Sequence, residues 1–262
     1  MKLGLCKNLN DDCFKEVSGI LDLGIDYLEI NASMAVNYTL PELREYKKKA
    51  ENLGLNILSS NGYFPKDIKF VGDNIDLNII KEYAKNASEK LAELGVKKAV
   101  FGSGASRKVP EGYSRETALS QVEEALGIVN EESVKANIEI VIEPLSRSET
   151  NVINTVREAF DFCKKINLQN VHVLADLYHV GQERDLPRSL NDIVECASEL
   201  KHVHISCPIS RTVPTETDGF DYSLFYNALK KANYKGNISI EAWPHTREAI
   251  ASCRKIFDKY TK

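Results

Sequence analysis

The sequence contains no CxxC pair, although it has six cysteines: Cys6, Cys13, Cys163, Cys196, Cys207 and Cys253. Their irregular spacing offers neither a zinc knuckle nor a disulfide frame, so reduced, mostly buried thiols in a cytoplasmic protein are expected. No window approaches the roughly 18 apolar residues of a membrane span, and the apolar run in MKLGLCKNLNDD is too short for a signal peptide. There is no excess of positive charge: Lys and Arg number 34 against 38 Asp and Glu, for a formal net charge of -4. Without a global positive field, neither nucleic acid nor a membrane surface is an expected partner. KNLNDD after the first apolar run lacks glycine, which disfavours a doubly wound dinucleotide-binding sheet. Histidines are missing from the first 170 residues; all five fall later, at His172, His179, His202, His204 and His245.

What the chain does have is an unbroken alternation of short β-rich runs and amphipathic helical stretches. The predicted strands are Lys2–Cys6, Ile25–Ile30, Leu55–Ser60, Val96–Gly102, Ile138–Pro144, Val171–Asp176, His202–Ser206 and Asn237–Trp243. The predicted helices are Cys13–Leu23, Pro41–Leu53, Leu77–Leu94, Arg115–Ala136, Val156–Ile166, Leu190–Leu200, Tyr222–Ala232 and Arg247–Tyr260. Gly24, Gly54 and Gly95 close the first three, and Thr39 with Glu42 reads as a capping box. Eight such units over residues 1–262 predict one α/β domain, a (β/α)8 TIM barrel, because each parallel pair needs a helical crossover. The longest irregular stretches all follow strands, on the face where such barrels build their sites.

The strand ends carry the chemistry. Strand five finishes at Glu143, strand six at Asp176, strand seven carries His204 and strand eight carries Glu241. Strand alternation groups Val141 with Glu143, Leu174 with Asp176, His202 with His204 and Ser239 with Glu241. If these sets point inward, three carboxylates and an imidazole converge at the C-terminal mouth, where the carboxylates would raise one another's pKa unless a cation compensates them. One acidic residue at a strand end is usually a helix cap or a salt-bridge partner. Four ionisable groups at equivalent positions on consecutive strands read as ligands of one divalent metal ion. Oxygen-rich ligation with one imidazole suits Mn²⁺, Co²⁺ or Mg²⁺, with Zn²⁺ less favoured for want of a thiolate. By the same parity Glu139, His172 and His202 form a hydrogen-bonded polar layer near the barrel bottom. Glu29 has the parity to reach the mouth, against substrate or behind a ligand.

The series IEP at Glu143, LADLYH at Asp176 and His179, HVHIS at His204 and SIEAW at Glu241 resembles the xylose-isomerase-like TIM-barrel superfamily of sugar isomerases and epimerases. Within it, the pattern is similar to ketose 3-epimerases of the tagatose/psicose type. The resemblance implies that Glu143, Asp176, His204 and Glu241 hold the metal, with Mn²⁺ the first expectation, and that Glu143 and Glu241 double as acid/base groups. It also implies substrate contacts from Glu149, His179 and Arg211. The family's substrate arginine follows the metal histidine by six positions, whereas Arg211 follows His204 by seven. A ketose whose carbonyl and neighbouring hydroxyl are chelated would lose a C–H proton to one glutamate and regain one from the other, through an enediolate.

Trp243, Tyr63, Phe64 and Pro65 are candidates for an apolar sugar wall or for core packing. GSGASRK, with Arg107 and Lys108, reads as a flexible loop or, less readily, a phosphate cradle. The expected partner is a small sugar, and the expected assembly a homo-oligomer, dimer or tetramer. Competing functions share the superfamily: an inosose-dehydratase-like lyase, a hydroxypyruvate-isomerase-like enzyme, a non-catalytic sugar-binding barrel, or an abasic-site endonuclease. The last needs histidines from early strands, which this chain lacks.

Overall fold

The computed structural model describes residues 1–262, in which eight parallel strands close into a barrel in chain order, β1 pairing with both β2 and β8. In sequence the elements are β1 (Leu3–Lys7), α1 (Asp11–Ser18), β2 (Tyr27–Asn31), α2 (Ala32–Ala35), α3 (Leu40–Asn52), β3 (Asn56–Asn61) and α4 (Leu77–Leu94). There follow β4 (Lys98–Phe101), α5 (Gly104–Arg107), α6 (Arg115–Lys135), β5 (Glu139–Ile142), α7 (Val156–Ile166), β6 (Val171–Asp176) and α8 (Leu177–Gly181). The chain ends with α9 (Leu186–Glu195), β7 (Leu200–Ile205), α10 (Tyr222–Lys231), β8 (Ile238–Ile240) and α11 (Arg247–Thr261). This is the (β/α)8 barrel that the alternation predicts. No helix is long and apolar enough to cross a membrane.

Local signals set most boundaries. Thr39 and Glu42 form the predicted capping box, each accepting from the other's backbone N–H at the start of α3. Gly95 ends α4 at φ 95°, a left-handed position that an L side chain resists. Two expectations shift. The first helix stops at Ser18, and a separate 3-10 turn, Leu21–Leu23, carries the chain to Gly24. The sixth predicted helix starts earlier, because Asp185 caps the Arg188 N–H at 3.0 Å and Pro187 sits in the first turn, while Leu200 belongs to β7. The short helices α2, α5 and α8 all follow strands and, at four or five residues each, are too small for a periodicity signal.

Most of the apolar core lies between the outward faces of the strands and the helices, as in Leu3, Leu5, Leu28, Ile30, Ile140 and Ile142. The barrel lumen divides into two halves. Val100, Val141 and Leu174 on β4–β6 make a small apolar cluster of their own. The other half is polar: Tyr27, Glu29, Ser59, His202, His204 and Ser239 are all buried there. Tyr27 fits because β1 offers a glycine opposite it; a Cβ on Gly4 would lie 2.1 Å from the Tyr27 ring. The ring's hydroxyl then reaches Ser239 Oγ at 2.6 Å. Gly4→Ala is accordingly expected to destabilise the fold by about 1–3 kcal/mol, as overpacking of a dense interior does. Urea denaturation measures it, and a loss below about 0.5 kcal/mol would mean that the tyrosine is free to move aside.

Candidate active site

The strand ends bring the four predicted ion-binding residues together. Glu143 and Glu241 lie one residue beyond β5 and β8, where each backbone N–H still bonds the preceding strand: Glu143 to Phe101 O at 3.3 Å and Glu241 to Ile205 O at 3.1 Å. Asp176 ends β6 and pairs in register with His204 of β7. Potential ligand atoms of Glu143, Asp176, His204 and Glu241 all fall within 4.8 Å of one another, and all four residues are buried. His204 Nδ1 stands 3.2 Å from Glu143 Oε1 and 3.4 Å from Glu241 Oε2. A side chain on residue 102 would close this space, since a Cβ on Gly102 would sit 2.3 Å from Glu143 Oε2.

The electrostatics are those of a site short of positive charge. Burial and then the carboxylates of Glu241 and Glu143 push Asp176 from 3.8 up to about 8. Burial, with Glu241 beside it, also raises Glu143. Burial opposes the charge on Glu241 as well, but His204 and Arg211 outweigh it and hold that carboxyl below its usual range. Burial disfavours charge on His204, yet Glu29 and Glu241 raise its pKa well above 6.5. Asp176 Oδ1 accepts the Tyr178 N–H at 2.8 Å, while Oδ2 is buried with no hydrogen-bond partner. A buried carboxylate oxygen normally has one. An orphaned oxygen facing two further carboxylates and an imidazole fits a divalent cation, and the oxygen-rich donors fit a hard one. Cys6 lies against Glu29 and His204, apart from the other carboxylates, and burial followed by Glu29 raises its thiol well above 9.0.

The three predicted substrate residues surround this set. The Ser146 backbone N–H donates to His179 Nδ1 at 3.0 Å, so the neutral ring carries its proton on Nε2, which is buried without a hydrogen bond, 3.6 Å from Asp176 Oδ2. Burial, reinforced by Arg211, lowers the His179 pKa to about 3 and keeps the ring a neutral donor. Arg211 donates to Glu149 Oε1 at 2.6 Å, lies 3.8 Å from Glu241 Oε2 and stacks 4.5 Å over the Tyr178 ring. Between His204 and Arg211 the chain makes a tight turn. Arg211 itself has φ 56°, its N–H bonds Cys207 O at 2.7 Å, and Cys207 N bonds Thr212 O at 2.8 Å.

A family model described as xylose isomerase-like TIM barrel matches residues 18–258. The chain belongs to this family. Among curated relatives, 3-dehydro-D-guloside 4-epimerase of Escherichia coli is 26% identical over 232 residues, covering 85% of this chain and 84% of that protein. D-psicose 3-epimerase of Ruminiclostridium cellulolyticum is 24% identical, covering 92% of this chain and 82% of its own length. Among solved structures, apo 3-keto-D-glucoside 4-epimerase from E. coli superimposes with a TM-score of 0.80 at 22% identity, over 99% of this chain and 98% of that one. A D-psicose 3-epimerase solved with D-fructose gives 0.79 at 20% identity, over 98% and 90% of the two chains. These structural likenesses bear on the fold. The curated relatives are named as epimerases, and this chain is an isomerase of that kind.

In this xylose isomerase-like barrel, several sequence expectations need correction. Tyr63 and Phe64 are 1% and 4% exposed and pack with Phe70, Tyr83 and Phe101, so they belong to the core and not to a sugar wall. Trp243 remains available at 49% exposure. Arg107 belongs neither to a flexible loop nor to a phosphate cradle: fully buried, it donates to Phe101 O at 3.1 Å and Glu143 O at 2.6 Å, tying the ends of β4 and β5 together. His172 is bound at the barrel bottom by Glu199 at 2.9 Å, and Glu139 by Lys98 at 2.7 Å, whereas His202 turns toward Glu29. Asn61 is the contact that sequence reasoning passed over. Its amide donates to Glu241 Oε1 at 2.7 Å, and the available signal was its inward parity with Ser59 on β3.

The raised Asp176 value has a measurable consequence. The unfolded carboxyl gives up its proton near 3.8, whereas the folded one keeps it to about 8. The metal-free protein therefore loses stability as pH rises between those two values, and a divalent cation relieves more strain at the upper end. The rise in melting temperature on adding Mn²⁺ is expected to be larger at pH 8 than at pH 6. An equal or smaller rise at pH 8 would contradict the assignment.

Proposed function

We propose that this protein is a metal-dependent sugar epimerase that inverts a carbon next to the carbonyl of a ketose or keto-sugar. The observation that carries the reading is that glutamates from β5 and β8 approach the same nitrogen of His204, at 3.2 and 3.4 Å, beside an unpartnered Asp176 oxygen. Glu143, Asp176, His204 and Glu241 would hold the ion, with Mn²⁺ the best match to three oxygen donors and one imidazole. Once bound, such an ion acidifies the C–H beside a carbonyl by withdrawing charge from the oxygens.

The chain's own residues account for the proton movements. Glu143, raised by burial and by Glu241, has the higher proton affinity of the two glutamates, and Glu241, lowered by His204 and Arg211, is the more readily ionised. Two carboxyls pushed in opposite directions by their surroundings suit a reaction in which one removes a proton and the other returns one. Asn61 holds Glu241 in place through its second oxygen. Arg211, fixed by Glu149 and Tyr178, and the Nε2–H of His179 are donors for sugar oxygens. Trp243, two residues past Glu241, offers an exposed ring for a sugar's C–H face. Relatives named for a 3-dehydroguloside and for free ketoses support keto-sugars as the substrate class.

Incubating the Mn²⁺-loaded protein with a panel of ketoses and keto-glycosides in D₂O tests the reading by NMR. Deuterium at the inverted carbon with a new epimer is expected. Loss of water from the product would instead identify a lyase. Glu143→Gln and Glu241→Gln should each lower turnover by at least about 10²-fold at saturating Mn²⁺, the usual range for a general acid or base. Near-full turnover in both variants sinks the two-glutamate assignment.

A further inference from the structure

Glu29 lies in the barrel lumen, fully buried, and its two oxygens are used unequally. Oε2 accepts from Ser59 Oγ at 2.6 Å, Ser239 Oγ at 2.6 Å and His202 Nε2 at 2.7 Å. Oε1 has one partner, His204 Nε2, at 2.8 Å. The donor roles follow from elimination. His202 Nδ1 is buried without a partner, so that ring's proton belongs on Nε2, toward Glu29. Ser239 has a single hydroxyl hydrogen, and Tyr27 OH, 2.6 Å from Ser239 Oγ, supplies the donor that Ser239 itself receives. Three donors saturate Oε2 and prevent the carboxylate from rotating, which leaves Oε1 aimed at His204.

We infer that Glu29 is the residue that selects which nitrogen of His204 binds the ion: it keeps a proton on Nε2, so that Nδ1, facing Glu143 and Glu241, is the nitrogen that gives up its proton to an ion. It is a positioning residue, since it touches no other member of the ion set and reaches the site only through the imidazole. A ring with its proton on Nδ1 would present N–H where an electron pair is required. The inference rests on the reading of the four mouth residues as an ion site.

Glu29→Gln is the informative variant because it nearly preserves shape. A glutamine placed here must turn its oxygen toward the three donors and its NH₂ toward His204 Nε2. An amide N–H facing Nε2 demands a bare nitrogen there and moves the ring proton to Nδ1. The expected result is a 10- to 100-fold weaker Mn²⁺ affinity by chelator competition, with an altered visible absorption of the Co²⁺ form and an unchanged far-UV circular dichroism spectrum. A folded Glu29→Gln protein with wild-type affinity and an unaltered Co²⁺ spectrum would refute the inference.

A second measurement needs no variant. In ¹⁵N-imidazole NMR of the wild-type chain, His204 should retain its Nε2–H with and without Zn²⁺, while Nδ1 shifts on metal addition. Zinc at Nε2, or loss of the Nε2–H, would overturn the inference even if the variant does not fold. Failure of the site reading itself is seen separately, as a wild-type chain that takes up no divalent ion.

Discussion

Like-charge crowding at one end of the barrel is the constraint that the rest of the structure answers. Three carboxylates with ligand atoms within 4.8 Å of one another repel by at least about 3 kcal/mol per pair, even at an effective dielectric constant of ~20. Three such pairs approach the whole stability of an ordinary domain, about 5–15 kcal/mol. The chain's own countercharges, His204 and Arg211, are fewer than the carboxylates they face, and Glu149 takes up part of Arg211. A proton on Asp176 and a divalent ion are therefore alternative solutions to one deficit. The fold supplies the site and leaves one positive charge to come from outside.

Holding such a site requires rigidity beneath it, and the lumen is built unevenly for that purpose. On the β4–β6 side, Val100, Val141 and Leu174 fill space without polar demands. Arg107 binds the carbonyls of Phe101 and Glu143, so the backbone that carries one glutamate is tied to its neighbouring strand. On the opposite side the filling is a hydrogen-bonded column, Tyr27 to Ser239 to Glu29 to His204. The room for that column comes from Gly4, which connects a side-chain deletion low on β1 to the orientation of an imidazole at the mouth.

The convergence of Glu143, Asp176, His204 and Glu241 was readable in the sequence because strand parity and strand order depend only on local alternation. A residue two positions from an inward one is inward again, and the four candidates converge at the C-terminal ends of β5–β8. Arg211 illustrates the boundary of that logic. Spacing alone placed it one residue out of register with the family pattern, and its own left-handed backbone is a feature that no pattern of apolar positions reveals. Tyr63 and Phe64 were ambiguous for a related reason: an aromatic residue in a loop serves a core or a ligand equally well until neighbours such as Phe70 and Tyr83 are placed around it. Arg107 was misread and Asn61 unread because these partners are 36 and 180 residues away, Arg107 meeting the backbone carbonyl of Glu143 and Asn61 a carboxylate.

A buried carboxylate at Glu29 is costly on its own. Replacing a buried ionic group by apolar side chains of similar size is often neutral or stabilising, so four hydrogen bonds around Glu29 are not evidence of a net gain in stability. The Val100–Val141–Leu174 cluster shows that this lumen accommodates an apolar filling. What an apolar filling cannot do is distinguish the two nitrogens of an imidazole. The polar half of the lumen lies directly beneath His204, and two of its hydroxyls and a second imidazole converge on one carboxylate. Such an arrangement trades stability for direction, because it leaves one oxygen free to orient one ring.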